Sequence, residues 1–325
     1  MSTIQTNPPA MPGTAEGVRD ERGAVTRRTR SGGASRRRAR TAPGARPRKS
    51  GLLTAVMVVF TVYSLAPLFY LLVNSTKTQG QLLTTFGLWF GNGFDLFTNI
   101  GQTLTYNNGI FVQWLGNTLL YVVAGAGGAT LLATVAGYGM AKYRFPGRRA
   151  VFAIVLGAIA IPGTALAVPT FLLFSQVGLT NTPWSVILPS LISPFGMYLV
   201  WTYAVEAIPD ELIEAARMDG AGEFRIFFTI SLRLLMPGVV TVALFAIVAT
   251  WNNYFLPLIM LSNPHWYPLT VGLNQWNAQA TGAGAQPIYN LVVTGSLLTI
   301  VPIVAAFLFL QRFWQSGLAA GSVKQ

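Results

Sequence analysis

Six long apolar stretches constrain this chain more than any other feature: residues 52–73, 115–140, 150–176, 185–204, 237–261 and 287–311. Each reaches the length of about 20 residues that a helix needs to cross roughly 30 Å of hydrocarbon. No Lys, Arg, Asp or Glu occurs between Arg149 and Glu206 or between Arg233 and Arg312. Apolar residues make up 52% of the sequence and charged residues only 10%, against about 25% charged in a soluble domain. The expected architecture is an all-α membrane protein with six transmembrane helices facing membrane lipid.

The net charge of +12 is unevenly placed. Residues 1–50 hold twelve Lys/Arg and three Asp/Glu, and residues 51–325 hold ten and seven. The first fifty are rich in Arg, Gly, Ser and Pro with little to bury, which predicts a disordered tail and no nucleic-acid-binding domain. A cleaved signal is disfavoured, because the first apolar run is too long and no small-residue cleavage site follows it. Lys and Arg then set direction. The tail has twelve, loop 141–149 has four (Lys142, Arg144, Arg148, Arg149), loop 205–236 has three (Arg217, Arg225, Arg233) and the C-terminal end has two (Arg312, Lys324). The alternate connections, 74–114, 177–184 and 262–286, share only Lys77. Both termini and both basic loops are expected in the cytosol, and the chain divides into a tail, 1–50, and a transmembrane domain, 51–325.

Several chemistries are excluded by what the sequence lacks. There is no Cys and one His, His265, so thiol chemistry is absent and a His-rich metal site or His-based catalysis is not expected. An ion-driven carrier places an ionisable group in the bilayer at a cost of roughly 2.5–3.5 kcal/mol, and the spans carry none. An ATPase needs a G-x-x-x-x-G-K-[ST] loop, and none of the four lysines has that setting. Any power for transport must arrive through a cytosolic contact with another polypeptide. Within the spans, Pro162, Pro169, Pro189, Pro194 and Pro257 are candidate kinks. Ala129, Ala133 and Gly137 form a small-residue stripe fit for close helix approach, in this chain or a neighbour.

The loop 205–236 gathers Glu206, Asp210, Glu211, Glu214, Asp219 and Glu223, six of the seven acidic residues beyond position 50. Its pattern predicts a short helix: Pro209 suits the first position, Asp210 and Glu211 face the positive end of the dipole, and Gly220 suits a left-handed stop. At about ten residues, roughly 15 Å, it is too short to span. Glu214 at mid-helix has Arg217 within reach, a pair contributing only about 0.2–0.5 kcal/mol. Ala215 and Ala216 leave room for another surface. A second amphipathic segment follows, with Phe224, Phe227 and Phe228 on one face. The whole reads as a knob for a partner's groove or as an ordinary interfacial helix.

The run "EAARMDG", nine residues, then "ISL" (Glu214 to Gly220, Ile230 to Leu232) resembles the EAA loop of permease subunits in binding-protein-dependent ABC importers. "IPDELIEAARMDGAG", "WNNYFLPLIML", "YPLTVGL", "NTLLYVV", "GYGMAKYRFPGRRAVF" and "GLAAGSVKQ" are similar to the maltose-type sugar branch, in matching order over residues 51–325. The resemblance implies a type I ABC importer permease fold working by alternating access. It assigns Glu214, Ala215, Ala216, Arg217, Asp219 and Gly220 to coupling with an ATPase, and the tail with Gly317, Gly321 and Lys324 to further contact with it. It implies as partners a homologous second permease subunit, two ATP-binding subunits carrying ATP and magnesium, and an extracytoplasmic sugar-binding protein. No cofactor or metal is expected in this chain. Two residues depart from the pattern: Arg233 stands where the family usually has Pro, and Gln325 ends a tail that commonly ends in Gly. With Pro237 present at the next family proline, the bend is expected to survive in altered form. Asn117, Trp251, Asn252 and Asn253 are candidates for a translocation path, being neutral groups able to bond or stack on a sugar; their other role is bonding between helices.

Overall fold

The computed structural model describes residues 50–321; the Arg-rich stretch 1–49 and residues 322–325, with Lys324 and Gln325, lie outside the described residues. Residues from Ala55 onward form one compact unit.

Helix α1, Gly51–Ser75, buries only Val73, Asn74 and Ser75. A capping box from Thr78 and Gln81 starts the short α2, Gln79–Thr84. Helix α3, Leu96–Tyr121, passes through a break at Tyr106–Gly109 and continues by a π-helical turn, Val122–Ala126, into α4, Gly127–Lys142. The expected span 115–140 is therefore the second part of a longer run, Leu96–Lys142.

The stretch 150–176 is not one helix. Backbone turns over 161–166 divide it into α5, Arg148–Ala160, and α6, Ala167–Gln176, each too short to cross alone. The division falls at Pro162, which lacks the amide that would continue the ladder. A similar break precedes Pro194, which separates α7, Trp184–Ser190, from α8, Pro194–Ala207; Ser193 caps the latter through the Gly196 amide. Pro169 and Pro257 sit in the first turns of their helices, where no amide partner is lost.

Beyond α9, Asp210–Met218, come the one-turn α10, Glu223–Arg225, a π-helical turn, Ile226–Ser231, and α11, Leu232–Trp251. The fifth apolar helix thus begins well before residue 237 and ends at Trp251, and 255–260 form a separate helix, α12, Phe255–Met260. Pro237 lies inside α11, and the irregularity expected there falls upstream, in the π turn. Helices α13, Leu269–Thr281, and α14, Tyr289–Gly321, complete the fold. Among the described residues, five helical runs are long and apolar enough to cross a membrane: Gly51–Ser75, Leu96–Lys142, Trp184–Ala207, Glu223–Trp251 and Tyr289–Gln311.

The small-residue stripe of α4 packs inside this chain, against α8. A Cβ on Gly137 would stand 2.7 Å from the Met197 carbonyl oxygen and 2.9 Å from the Trp201 amide nitrogen, and a Cβ on Gly196 would stand 3.3 Å from that of Ala133. Backbone meets backbone there, so relief requires moving a helix. Gly137→Ala is expected to destabilise the folded protein by about 1–3 kcal/mol through overpacking, read as a fall in the thermal midpoint in detergent, and Gly137→Leu to prevent stable folding.

Two apolar cores anchor opposite ends. One, with Tyr138, Val200, Ala204, Ile208, Ile213, Ile226, Phe227 and Leu235, joins α4, α8, α9 and the π turn before α11. The other, with Phe111, Trp114, Trp251, Leu269, Trp276 and Leu291, joins α3, α11, α13 and α14.

Candidate functional site

Helix α9 is a short arm held on a rigid base. Its first turn carries Asp210 and Glu211. Pro209 is extended and lies just before the helix, at the N-cap and not at the expected first position. The helix ends as predicted: the Ala221 amide donates to the Ala216 carbonyl (3.0 Å), the Gly220 amide to that of Arg217 (3.0 Å), and Gly220 is left-handed at φ +79°. Only glycine adopts that conformation without strain.

Ile213 and Ala216 face inward and are buried in the core with Ile208 and Ile226. Ala216 therefore supports the arm from beneath, and of the two alanines only Ala215 is available to an approaching surface. Glu211, Glu214, Ala215 and Met218 recur at helical spacing on the opposite face, and all are exposed. Met218 is 90% exposed and Phe224 85%. Of the three phenylalanines expected on one face, Phe227 is instead buried, its ring 4.9 Å from that of Tyr138.

Electrostatic ties fix both ends of the arm. At its start, Lys142, the last residue of α4, donates from Nζ to the Ile208 carbonyl (2.5 Å) and to Asp210 Oδ1 (2.7 Å). Its side chain is only 6% exposed, while that of Asp210 is 72% exposed. Asp210 thus does more than complement the helix dipole. At its end, Arg217 Nε donates to Glu223 Oε1 (2.6 Å) and Tyr143 OH to Glu223 Oε2 (2.7 Å). Arg217 pairs with Glu223 and leaves Glu214 to solvent. The sequence reading did not single out Lys142 and Tyr143 as supports of this helix; their partners Asp210 and Glu223 lie 68 and 80 positions away, beyond any local spacing rule.

The hydrogen bond from Lys142 holds the Asp210 carboxyl below its usual range. Arg217, and then Tyr143, do the same for Glu223. Tyr143 is pushed upward by burial first and Glu223 second. Because both folded carboxyls titrate below their unfolded values, their contribution is fully present above about pH 5 and is lost as pH falls through the folded values, below about pH 4. A spin label at position 218 should therefore keep one mobility from pH 8 to 5 and loosen only in more acidic buffer.

The other candidate residues are dispersed. Asn117 is buried, donating to the His265 and Tyr267 carbonyls (2.6 and 3.0 Å) while its oxygen accepts from Gln113. Trp251 is buried in the aromatic core. Asn252 is exposed and donates to the Val248 carbonyl of its own helix (2.8 Å); the Asn253 carbonyl accepts from Thr270 (2.8 Å). Gly317 and Gly321 lie within α14.

Residues 129–318 match the model of the family described as "Binding-protein-dependent transport system inner membrane component". The chain belongs to this family. This permease is 33% identical over 286 residues to an arabinooligosaccharides transport system permease protein of Halalkalibacterium halodurans, covering 86% of this chain and 98% of the relative. It is 28% identical to a lactose transport system permease protein of Rhizobium radiobacter, covering 83% and 94%. A solved bacterial ABC transporter involved in the import of the acidic polysaccharide alginate shares its fold, with a TM-score of 0.72 at 23% identity, covering 81% of this chain and 96% of that one. The permease is a multi-pass component of the bacterial plasma membrane, a transport subunit and not an enzyme, working with other subunits of an ABC importer.

Proposed function

We propose that the permease passes a neutral carbohydrate to the cytosol by alternating access, driven by ATP hydrolysis on a partner. One observation carries the coupling role: α9 presents Glu211, Glu214, Ala215 and Met218 to water while Ile213 and Ala216 root it in the core joining α4, α8 and α11. Such an arm transmits a push at its tip to the transmembrane helices without bending. The coupling residues are Glu214, Ala215, Ala216, Arg217, Asp219 and Gly220. In this reading the chain crosses the membrane six times, with α5 and α6 together making the third crossing and both termini in the cytosol, and the end of α14 with Gly317 and Gly321 approaches the ATPase.

The carbohydrate assignment rests on the relatives' substrates and on charge. The runs 150–205 and 234–311 contain no Lys, Arg, Asp or Glu, so this chain brings no counter-charge for an ionic solute within them. The partners are a homologous second permease subunit, two ATP-binding subunits holding ATP and magnesium, and an extracytoplasmic sugar-binding protein; this chain itself needs no cofactor. Proteoliposomes containing all subunits should take up labelled arabinotriose, lactose or maltotriose only with internal ATP. Uptake by the isolated chain under an ion gradient would overturn the proposal.

A further inference from the structure

At the end of the fold away from α9, two adjoining cavities share a wall. The larger, about 750 Å³, combines polar side chains, among them Gln79, Asp95, Thr98, Gln102 and Gln286, with apolar surface to which Tyr106, Ile288 and Leu291 contribute. The smaller, about 260 Å³, also has Tyr106 and Gln286, and adds Asn107, Gln275 and Gln279. The wall is a hydrogen bond: Tyr106 OH donates to Gln286 Oε1 (3.2 Å). Neither cavity has a Lys or Arg in its lining, and Asp95 is the one carboxylate. The larger volume falls in the range of roughly 300–1,000 Å³ typical of ligand sites.

The backbone that aims Tyr106 is strained. Within α3, Tyr106 turns extended (ψ 138°), and Asn107, Asn108 and Gly109 follow in left-handed conformations with φ of 47°, 58° and 77°. Two consecutive non-glycine residues in that region cost about 1–3 kcal/mol each and persist only where the surroundings hold them. Here the base is rigid. The Tyr106 ring meets Trp276 edge-on at 5.5 Å. Buried Asn290 donates to Asn99 (2.9 Å) and Gln102 (3.1 Å), Gln79 accepts from the Asn290 amide (3.0 Å), and Asn99 donates to the Ser75 and Lys77 carbonyls. This network fixes the floor, while Gln102, Thr98 and Gln286 remain exposed at the mouth.

We infer that this paired cleft is a subsite for a neutral oligosaccharide, with Tyr106 as its platform and dividing wall and Asp95, Thr98, Gln102 and Gln286 bonding hydroxyl groups. Sugar hydroxyls both donate and accept, and side-chain amides answer both, whereas an anionic ligand would lack a counter-charge. A half-buried aromatic ring offers the apolar sugar face a surface. The inference rests on the carbohydrate reading above and extends it to residues outside the helix-buried candidates.

The test uses the complete importer in nanodiscs without its binding protein, with arabinotriose, lactose and maltotriose as probes and calorimetry as readout. Asp95→Asn keeps the shape and removes the charge; Tyr106→Ala removes platform and wall; Glu214→Ala, at the far end, serves as control. At least one probe should bind the unaltered complex, with Kd raised about tenfold or more in Tyr106→Ala and severalfold in Asp95→Asn, and unchanged in Glu214→Ala. Absence of binding, or equal Kd in all variants, overturns the subsite. Weakened capture of the binding protein with unaltered probe affinity makes the cleft a protein contact and likewise overturns it. Uptake separates the two readings: full uptake in both cleft variants sinks the subsite alone, and no uptake of any sugar by the unaltered importer sinks the carbohydrate reading.

Discussion

Gly220→Pro should abolish ATP-driven uptake while the permease still inserts and assembles in the membrane. Gly220 has φ +79°, which a proline ring, fixed near −65°, cannot adopt. Its amide also donates to the Arg217 carbonyl, and proline removes that donor. The last turn of α9 then unwinds and Met218 and Asp219 lose their places. Gly220→Ala, which keeps the amide and strains the backbone by about 1–3 kcal/mol, should retain partial uptake. Glu214→Ala makes the complementary case. Glu214 is exposed on the face opposite Ile213 and Ala216, so its loss should leave the thermal midpoint unchanged yet eliminate uptake. ATPase activity and uptake, measured on the same proteoliposomes, check both. Normal uptake in Gly220→Pro and Glu214→Ala would refute the coupling role.

Lys142→Met should uncouple hydrolysis from uptake by freeing the root of the arm. The ion pair with Asp210 contributes little, about 0.2–1 kcal/mol at most, because Asp210 is largely in water. The larger effect is at the Ile208 carbonyl. Ile208 is 1% exposed, and a buried carbonyl stripped of its donor costs about 1–3 kcal/mol. Asp210→Asn, which spares the Lys142 contact to that carbonyl, should therefore be mild. The two substitutions rank the effects directly: if Asp210→Asn uncouples as fully as Lys142→Met, the ion pair and not the carbonyl contact holds α9.

The arm was legible in the sequence because its signals are local. A proline, two first-turn carboxylates and a glycine nine positions on from Glu211 define a capped helix before any partner is considered. Its orientation was not. Ala215 and Ala216 are identical in chemistry, and one faces water while the other lies beneath the helix; that difference comes from Ile208, Ile213 and Ile226 closing over one side. The third apolar stretch shows the same limit. Hydropathy averages over 150–176 as over any span, and only hydrogen bonding at Pro162 decides that two helices stand there. Asn117 is a further example: its polarity within an apolar run left open a sugar contact or a bond inside the bundle, and the structure shows its amide bonded to two backbone carbonyls 148 and 150 residues away.

By itself the sequence determined that this protein is helical and membrane-embedded, that it carries no ATP-binding loop of its own, and that loop 205–236 holds a short capped helix. These follow from hydrophobic length, missing ionisable groups and turn chemistry, each readable within a few tens of residues. Tertiary structure alone decided that Lys142 and Tyr143 hold the arm at its two ends, that the stripe on α4 serves α8 of the same chain, and that a strained turn in α3 sets Tyr106 between two amide-lined cavities. Contacts of this kind join residues far apart in the chain, and their energy exists only when the backbone has brought the partners within bonding distance.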